Sequence, residues 1–394
     1  MVRVEYMSLL EKKIKVLHVI DLSKMGGVEV MFMGFIEKII KLDPKIEHEI
    51  FVLRISEERK ELLSKLKVKT YLPKNNKFSV LWRLKISLLI WINKYDLVHG
   101  QSFSGNFWAA IGKIFQVKGF SLVCHEHGGS WAAEGFYKLA SWYWAINSKL
   151  IICNSLASKT LIKKKIYQKA PCKVIYNGIS LKNTKKTSKK FLKNFRILFV
   201  GRLEDIKGIK QLIFALKLLN KNNISFICNI LGDGNLREWL EEYLKDNGLD
   251  KKVLLHGNVN NVGEFMGNSE VLIVPSLREP LGNVIIEAAH FNLPVIASKV
   301  DGIPEIVKNN HSGILIEPKI TSTSHKLPRH VVGESGELIS PSFIDPSELA
   351  AEILKLKNDQ KLRNTLGLNA NKSLKDFTIE RYANDIRDAY LKIL

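Results

Sequence analysis

These 394 residues contain no run of 18 apolar residues, so no helix is expected to span a bilayer. The most apolar stretch, Phe78 to Ile92, is interrupted by Arg83 and Lys85. Cysteine is scarce. The four present, Cys124, Cys153, Cys172 and Cys228, form no C-x-x-C pair, which argues against a thiolate zinc site and fits a reducing compartment. The opening residues, MVRVEYMSLLEKK, lack the apolar core and small-residue cleavage site of a signal peptide, and a cytoplasmic location is expected. The glycine-rich dinucleotide fingerprint is missing, as is any internal repeat. Hydrophobic and charged fractions of 46% and 25% exclude a disordered chain, and the length suits two domains.

Acidic residues are scarce in one half only. Residues 1–194 hold 35 basic and 14 acidic residues, whereas residues 195–394 hold 25 of each, so the net charge of +21 sits entirely in the first half. A general lysine bias would spread over both halves. The asymmetry points to a polyanionic partner for the first half, either nucleic acid or an anionic membrane face. No recognised nucleic-acid motif is present, so the membrane face is preferred and no nucleic-acid partner is expected.

In the first half, the short strand Lys15 to Ile20 runs into DLSKMGGVE and an apolar helix from Val30. A strand, a Gly26-Gly27 loop and a helix can present backbone amides to a ligand, or can simply be a tight turn. Phe78 to Lys94 reads as a helix with Leu81, Leu84, Leu88 and Trp91 at helical spacing. That stripe is expected to cover the sheet as core, while the flanking cations suit a membrane surface. Gly119 to Cys124 is a strand emptying into His125-Glu126-His127-Gly128-Gly129. The two histidines share one face of a strand, but a zinc site needs more ligands than these, and no metal is expected. Two stacked core histidines are the structural alternative. The aromatic-rich stretch from Trp131 to Ile146 suits core packing, sugar stacking or lipid headgroups. Lysine-rich residues 182–193 mark a domain boundary.

The second half opens with an apolar strand from Arg196 that leads into Gly201-Arg202-Leu203 and then Lys207-Gly208. An arginine fork and a lysine point charge five residues apart can converge on a diphosphate. The strand Phe226 to Leu231 ends in Gly232. A further strand, Val271 to Val274, leads into SLREPLGNVIIE, Ser276 to Glu287, which places Glu279 and Glu287 on either side of Leu281-Gly282-Asn283. A helix start there offers backbone N–H groups and a positive dipole end to an anion. Carboxylates on either side can accept hydrogen bonds from sugar hydroxyls. Alternating strands and helices in two series predict α/β architecture with two parallel sheets.

These segments resemble the retaining glycosyltransferases of the family 4 type (GT-B fold), most specifically between Arg196 and Val307. The resemblance implies two Rossmann-like domains facing a cleft: an acceptor-binding domain over 1–190, a nucleotide-sugar domain over 191–375 and a helix over 376–394 packing back on the first. It implies sugar transfer from a nucleotide diphosphate donor, with a UDP-sugar preferred to a GDP-sugar, to a lipid-linked or glycan acceptor in bacterial surface polysaccharide synthesis. No cofactor and no metal are implied, and the protein would sit peripherally on the inner membrane face. Catalytic roles fall on His127 (or His125), Glu279, Arg202 and Lys207. Donor contacts fall on Gly26, Gly27, Gly201, Gly232, Leu281, Gly282, Asn283 and Glu287, and acceptor contacts on His125, Glu126 and Trp131. Two departures stand out. Val300-Asp301-Gly302 replaces the usual Gly-Gly, and residues 317–345 are unusually long, containing His325, Lys326, Arg329 and His330. Rival readings are a non-catalytic glycan- or nucleotide-sugar-binding relative and another two-Rossmann enzyme such as an epimerase or phosphorylase.

Overall fold

The computed structural model of the chain describes residues 13–23, 26–74, 79–114, 119–129, 134–180, 194–321, 330–333 and 335–394. Two compact units result: one runs to Ser180 and takes in Thr378–Leu394, and the other spans Leu181–Phe377. The first unit therefore ends ahead of the expected position 190, and the lysine-rich 182–193 lie outside the described residues.

The first unit is built on seven parallel strands, β1 (Ile14–Leu22), β2 (Ile46–Ile55), β3 (Lys69–Tyr71), β4 (Leu97–Gln101), β5 (Ser121–Glu126), β6 (Leu150–Cys153) and β7 (Cys172–Val174), in the order β3-β2-β1-β4-β5-β6-β7. Side chains alternate across each strand. On β1, Val16 and Ile20 pack under helix α1 (Gly27–Leu42), through Phe32 and Phe35, and under the last helix (Ile379–Ile393), through Tyr382 and Tyr390. Leu17 and Val19 pack on the other face with Ile86 of α2 (Val80–Asn93) and Trp144 of α4 (Gly135–Asn147). Helix α3 (Ser102–Ile111) lies between α2 and α4.

Helix α2 corrects one expectation. Its buried face carries Arg83, Ile86, Ser87 and Ile90. The leucine stripe faces outward, with Leu81 77% and Trp91 61% exposed. Because the helix is apolar on nearly every side, spacing alone did not decide which face turns inward.

The second unit holds six parallel strands, β8 (Phe195–Val200), β9 (Phe226–Leu231), β10 (Val253–Gly257), β11 (Val271–Val274), β12 (Val295–Ser298) and β13 (Ile314–Ile316), ordered β10-β9-β8-β11-β12-β13. Near-continuous apolar strands such as Val-Leu-Ile-Val of β11 are what a sheet buried on both faces requires. Strand order reverses between β8 and β11. The loops at the carboxyl ends of these two strands flank a topological switch point, the place where open α/β sheets bind ligands. The described residues of 317–345 add two short antiparallel pairs: β14 (Ile320–Thr321) pairs with β17 (Ser342–Phe343), and β15 (Val331–Val332) pairs with β16 (Leu338–Ile339).

Candidate active site

Two loops meet at the switch point of the second unit. The loop after β8 turns through Gly201 to Lys207, and the loop after β11 through Pro275 to Gly282. Leu277 donates its N–H to the Ile206 carbonyl at 2.9 Å, fastening one loop to the other. Across this junction Lys207 Nζ lies 2.6 Å from Glu279 Oε2, with both side chains mostly buried. Arg202, expected to converge with Lys207, instead pairs with Glu204 at 2.6 Å and is 63% exposed at its side chain. Gly201 and Gly232 make the floor. Gly232 has φ +126, and a Cβ there would fall 2.0 Å from the Gly201 carbonyl oxygen, so only glycine fits.

Past Glu279, Gly282 (φ +97) starts helix α5 (Asn283–His290), and no side chain caps its first turn. Leu281 is buried beneath it. One turn in, Glu287 is partly buried and its side chain makes no hydrogen bond or ion pair among the described residues. Burial pushes its carboxyl up to about 7. A half-buried carboxyl with no partner of its own, beside a helix start, is suited to a diol and an adjacent anion.

Sequence reasoning missed what holds Glu279. Arg278 Nε donates to Asp301 Oδ2 at 2.9 Å, a fully buried ion pair, and the Glu279 N–H donates to the same oxygen at 3.1 Å. The only signal was the departure from Gly-Gly at Asp301.

In the first unit, the ends of β4 and β5 carry a stack of buried imidazoles. His125 and His127 stack at 4.0 Å, and His99 stacks on His125 at 5.6 Å. His18 lies 5.6 Å from His99, and its Nε2 meets His48 Nδ1 at 3.0 Å. The last helix closes over them: Tyr390 Oη lies 2.5 Å from His99 Nδ1, and Tyr382 Oη 3.3 Å from His125 Nδ1. Burial lowers all five, His48 to about 4 and His99 and His127 to about 3. Of the two sequence candidates, His125 is wholly enclosed, whereas His127 sits at the strand exit with Nε2 3.1 Å from Gln101 Oε1. Glu126 points to the opposite face and is buried. Its carboxylate accepts the Gly128 N–H at 2.6 Å and closes that turn. Trp131 lies outside the described residues, as do His325, Lys326 and Arg329. Gly26 and Gly27 stand at the start of α1, while Lys24 and Met25 of the same loop are outside the description. Among the described residues no three metal-ligating side chains converge.

Comparison with known proteins follows the same division. Residues 25–183 match the model described as Glycosyltransferase Family 4, and residues 182–329 match Glycosyl transferases group 1. An uncharacterized glycosyltransferase of Methanocaldococcus jannaschii is 31% identical over 256 residues, covering 65% of this chain and 62% of the relative. The UDP-Gal:alpha-D-GlcNAc-diphosphoundecaprenol alpha-1,3-galactosyltransferase of Escherichia coli is 30% identical over 245 residues, covering 57% of this chain and 63% of the relative. The matches thus span somewhat under two thirds of these relatives. Anabaena HepE, solved with UDP-glucose, superposes with a TM-score of 0.76 at 20% identity over 96% of this chain and 99% of HepE. The two matched models, read on two Rossmann-like halves, place the chain among the glycosyltransferases of the family 4 type with the GT-B fold.

Proposed function

We propose that this protein transfers a sugar from a nucleoside diphosphate donor, a UDP-sugar before a GDP-sugar, to a lipid-linked or glycan acceptor with retention of anomeric configuration. The observation that carries the reading is the Lys207–Glu279 pair at the switch point, next to a helix start and a partnerless Glu287. Lys207 and the amino-terminal end of α5 stabilise the departing diphosphate electrostatically, without a metal. Glu279 accepts hydrogen bonds from the donor sugar and Glu287 from the ribose diol. Arg202 swings from Glu204 to the phosphates as they arrive. The bond from the anomeric carbon to phosphate breaks, the bond to the acceptor oxygen forms on the same face, and the acceptor proton passes to the leaving phosphate. No separate general base is then needed. For His127 the resemblance implies a role near the donor sugar.

Acceptor recognition belongs to the first unit. A lipid-linked acceptor, of the kind named for the Escherichia coli relative, would be met at an anionic bilayer face, and a place in surface polysaccharide synthesis follows. The basic charge of the first half and the outward leucines of α2 support that partner.

The test is a donor-hydrolysis and transfer assay on Arg202→Ala, Glu279→Ala and Glu287→Ala. Near wild-type turnover in all three would overturn the assignment. Donor binding with no turnover on any acceptor would instead favour a non-catalytic relative. A thermal-shift screen of nucleotide sugars identifies the donor, since binding to the native state raises its melting temperature.

A further inference from the structure

Asp301 ties three pieces of chain together. Its Oδ2 accepts from Arg278 Nε at 2.9 Å and from the Glu279 N–H at 3.1 Å. Its Oδ1 accepts from the Val332 N–H at 2.9 Å, and its own N–H donates to the Val332 carbonyl at 3.1 Å. Val332 belongs to the β15–β16 hairpin inside the long 317–345 segment, and Arg278 also donates to the carbonyl of His330, the residue before that hairpin, at 3.4 Å. Val331 and Val332 are buried. On the far side of Glu279, its carbonyl accepts the Gly302 N–H at 3.1 Å. A side chain at 302 would fall 2.0 Å from the Pro280 carbonyl oxygen, so the approach depends on glycine there. The backbone of Glu279 is therefore gripped on both sides by residues 301 and 302. Asp301 adopts φ +44, a region that aspartate tolerates better than most residues.

A buried carboxylate is costly unless paired and hydrogen-bonded, and this one receives three N–H donors besides its own backbone link to the hairpin. We infer that Asp301, together with the β15–β16 hairpin it holds, is a positioning device that fixes the Glu279 carboxylate for the sugar part of the donor. The described residues His330 and Val332 of the long segment thereby support the donor loop. This rests on the reading of Glu279 as a sugar ligand.

Two substitutions separate the possibilities. Asp301→Gly keeps the left-handed backbone and the hairpin's main-chain bond but removes the carboxylate. Asp301→Asn keeps the shape and one acceptor oxygen but not both sets of bonds. Calorimetric affinity is measured for two probes, UDP-glucose and UDP. In Asp301→Gly the preference for UDP-glucose over UDP falls about tenfold, the order of one lost charge-assisted hydrogen bond, while UDP affinity changes little. Asp301→Asn falls between this variant and the parent, and carries the test if the glycine variant does not fold. Equal weakening toward both probes, tracking a lower melting temperature, would mean a purely structural role and overturn the inference. Glu279→Ala distinguishes the underlying reading. If it leaves the UDP-glucose preference unchanged, the sugar-ligand role itself fails. If it abolishes the preference while both Asp301 variants keep it, only the positioning role fails. In the double variant the Asp301→Gly effect disappears, because it acts through the carboxylate already removed.

Discussion

Lys207 Nζ lies 2.6 Å from Glu279 Oε2 across two loops that come from strands either side of the switch point in the second unit. Each group is the other's counter-ion within this unit. On the proposed function, an arriving diphosphate would compete for the lysine and a sugar hydroxyl for the carboxylate, exchanging one pair for two donor contacts. Replacing Lys207 by Met removes the cation but keeps the stem. Turnover should then fall about 100-fold, the usual cost of deleting one preorganised electrostatic contact in a reaction site. Arg202→Met should cost less, because its guanidinium is exposed and pairs with Glu204. Steady-state rates with a single nucleotide sugar check the ranking, and equal losses in the two variants would contradict it.

Glu287 predicts a pH dependence of its own. Burial raises its carboxyl to about 7. A raised acid binds protons in the folded state that the unfolded chain has already lost, so the charged form opposes folding as pH rises through 7. Glu287→Gln should therefore melt above the parent at pH 8, with the gap closing as pH falls toward the unfolded carboxyl value. A diol needs the ionised acceptor, so UDP affinity of the parent should fall as pH drops through about 7. Glu287→Gln should show weaker binding and a flatter profile. Differential scanning fluorimetry with and without UDP across that range reads both effects.

The buried imidazoles predict acid sensitivity of the first unit. Their unfolded value lies near 6.5, whereas burial holds His48 at about 4 and His99 and His127 at about 3. Between those limits the unfolded chain binds more protons, so stability is present above pH 6.5 and is lost as pH falls through the window toward 3. Tyr382 and Tyr390 couple this to the last helix, which should loosen together with the histidine stack. Melting temperature followed from pH 7.5 down to 4.5 should fall, and His48→Gln should make the slope shallower. A flat profile would show that the stack admits protons without cost.

What could be read from the sequence follows from the range over which each contact acts. Lys207, Glu279 and Glu287 sit on strand–loop–helix segments whose chemistry is local, and their spacing was enough to single them out. Arg202 pairs with Glu204, two residues on, a contact that the spacing between Arg202 and Lys207 did not announce. Asp301 acts through residues 23 and 31 positions away. Tyr382 and Tyr390 reach histidines 257 and 291 positions away, contacts that only tertiary packing creates. Glu126 lies on a strand buried on both faces, and its bond to the Gly128 N–H is a turn contact that its sequence neighbours did not announce. The fold itself was legible because apolar strands alternate with helices throughout both halves.

The outward face of the first unit carries the last prediction. On α2, Leu81, Leu84, Leu88, Trp91 and Ile92 are exposed, and on α4 so are Phe136, Tyr137, Leu139, Trp142 and Ile146. The two helices flank α3, whose Phe107 packs edge-on to Phe136 while Trp108 receives the Arg83 guanidinium at 5.9 Å. Neither helix contains an acidic residue, and exposed Lys85, Lys94 and Lys138 rim the surface. Apolar side chains with amphipathic tryptophans and a basic margin suit insertion at the headgroup boundary of an anionic bilayer. Leu88→Glu combined with Leu139→Glu should reduce co-sedimentation with phosphatidylglycerol vesicles several-fold, leaving the UDP-induced thermal shift unchanged. Lys85→Glu should weaken only the salt-sensitive part, by about 1 kcal/mol or somewhat more. Should the parent protein show no preference for phosphatidylglycerol over phosphatidylcholine vesicles, this surface must serve another partner, and size-exclusion chromatography of the double glutamate variant would then show whether a second copy of the chain covers it.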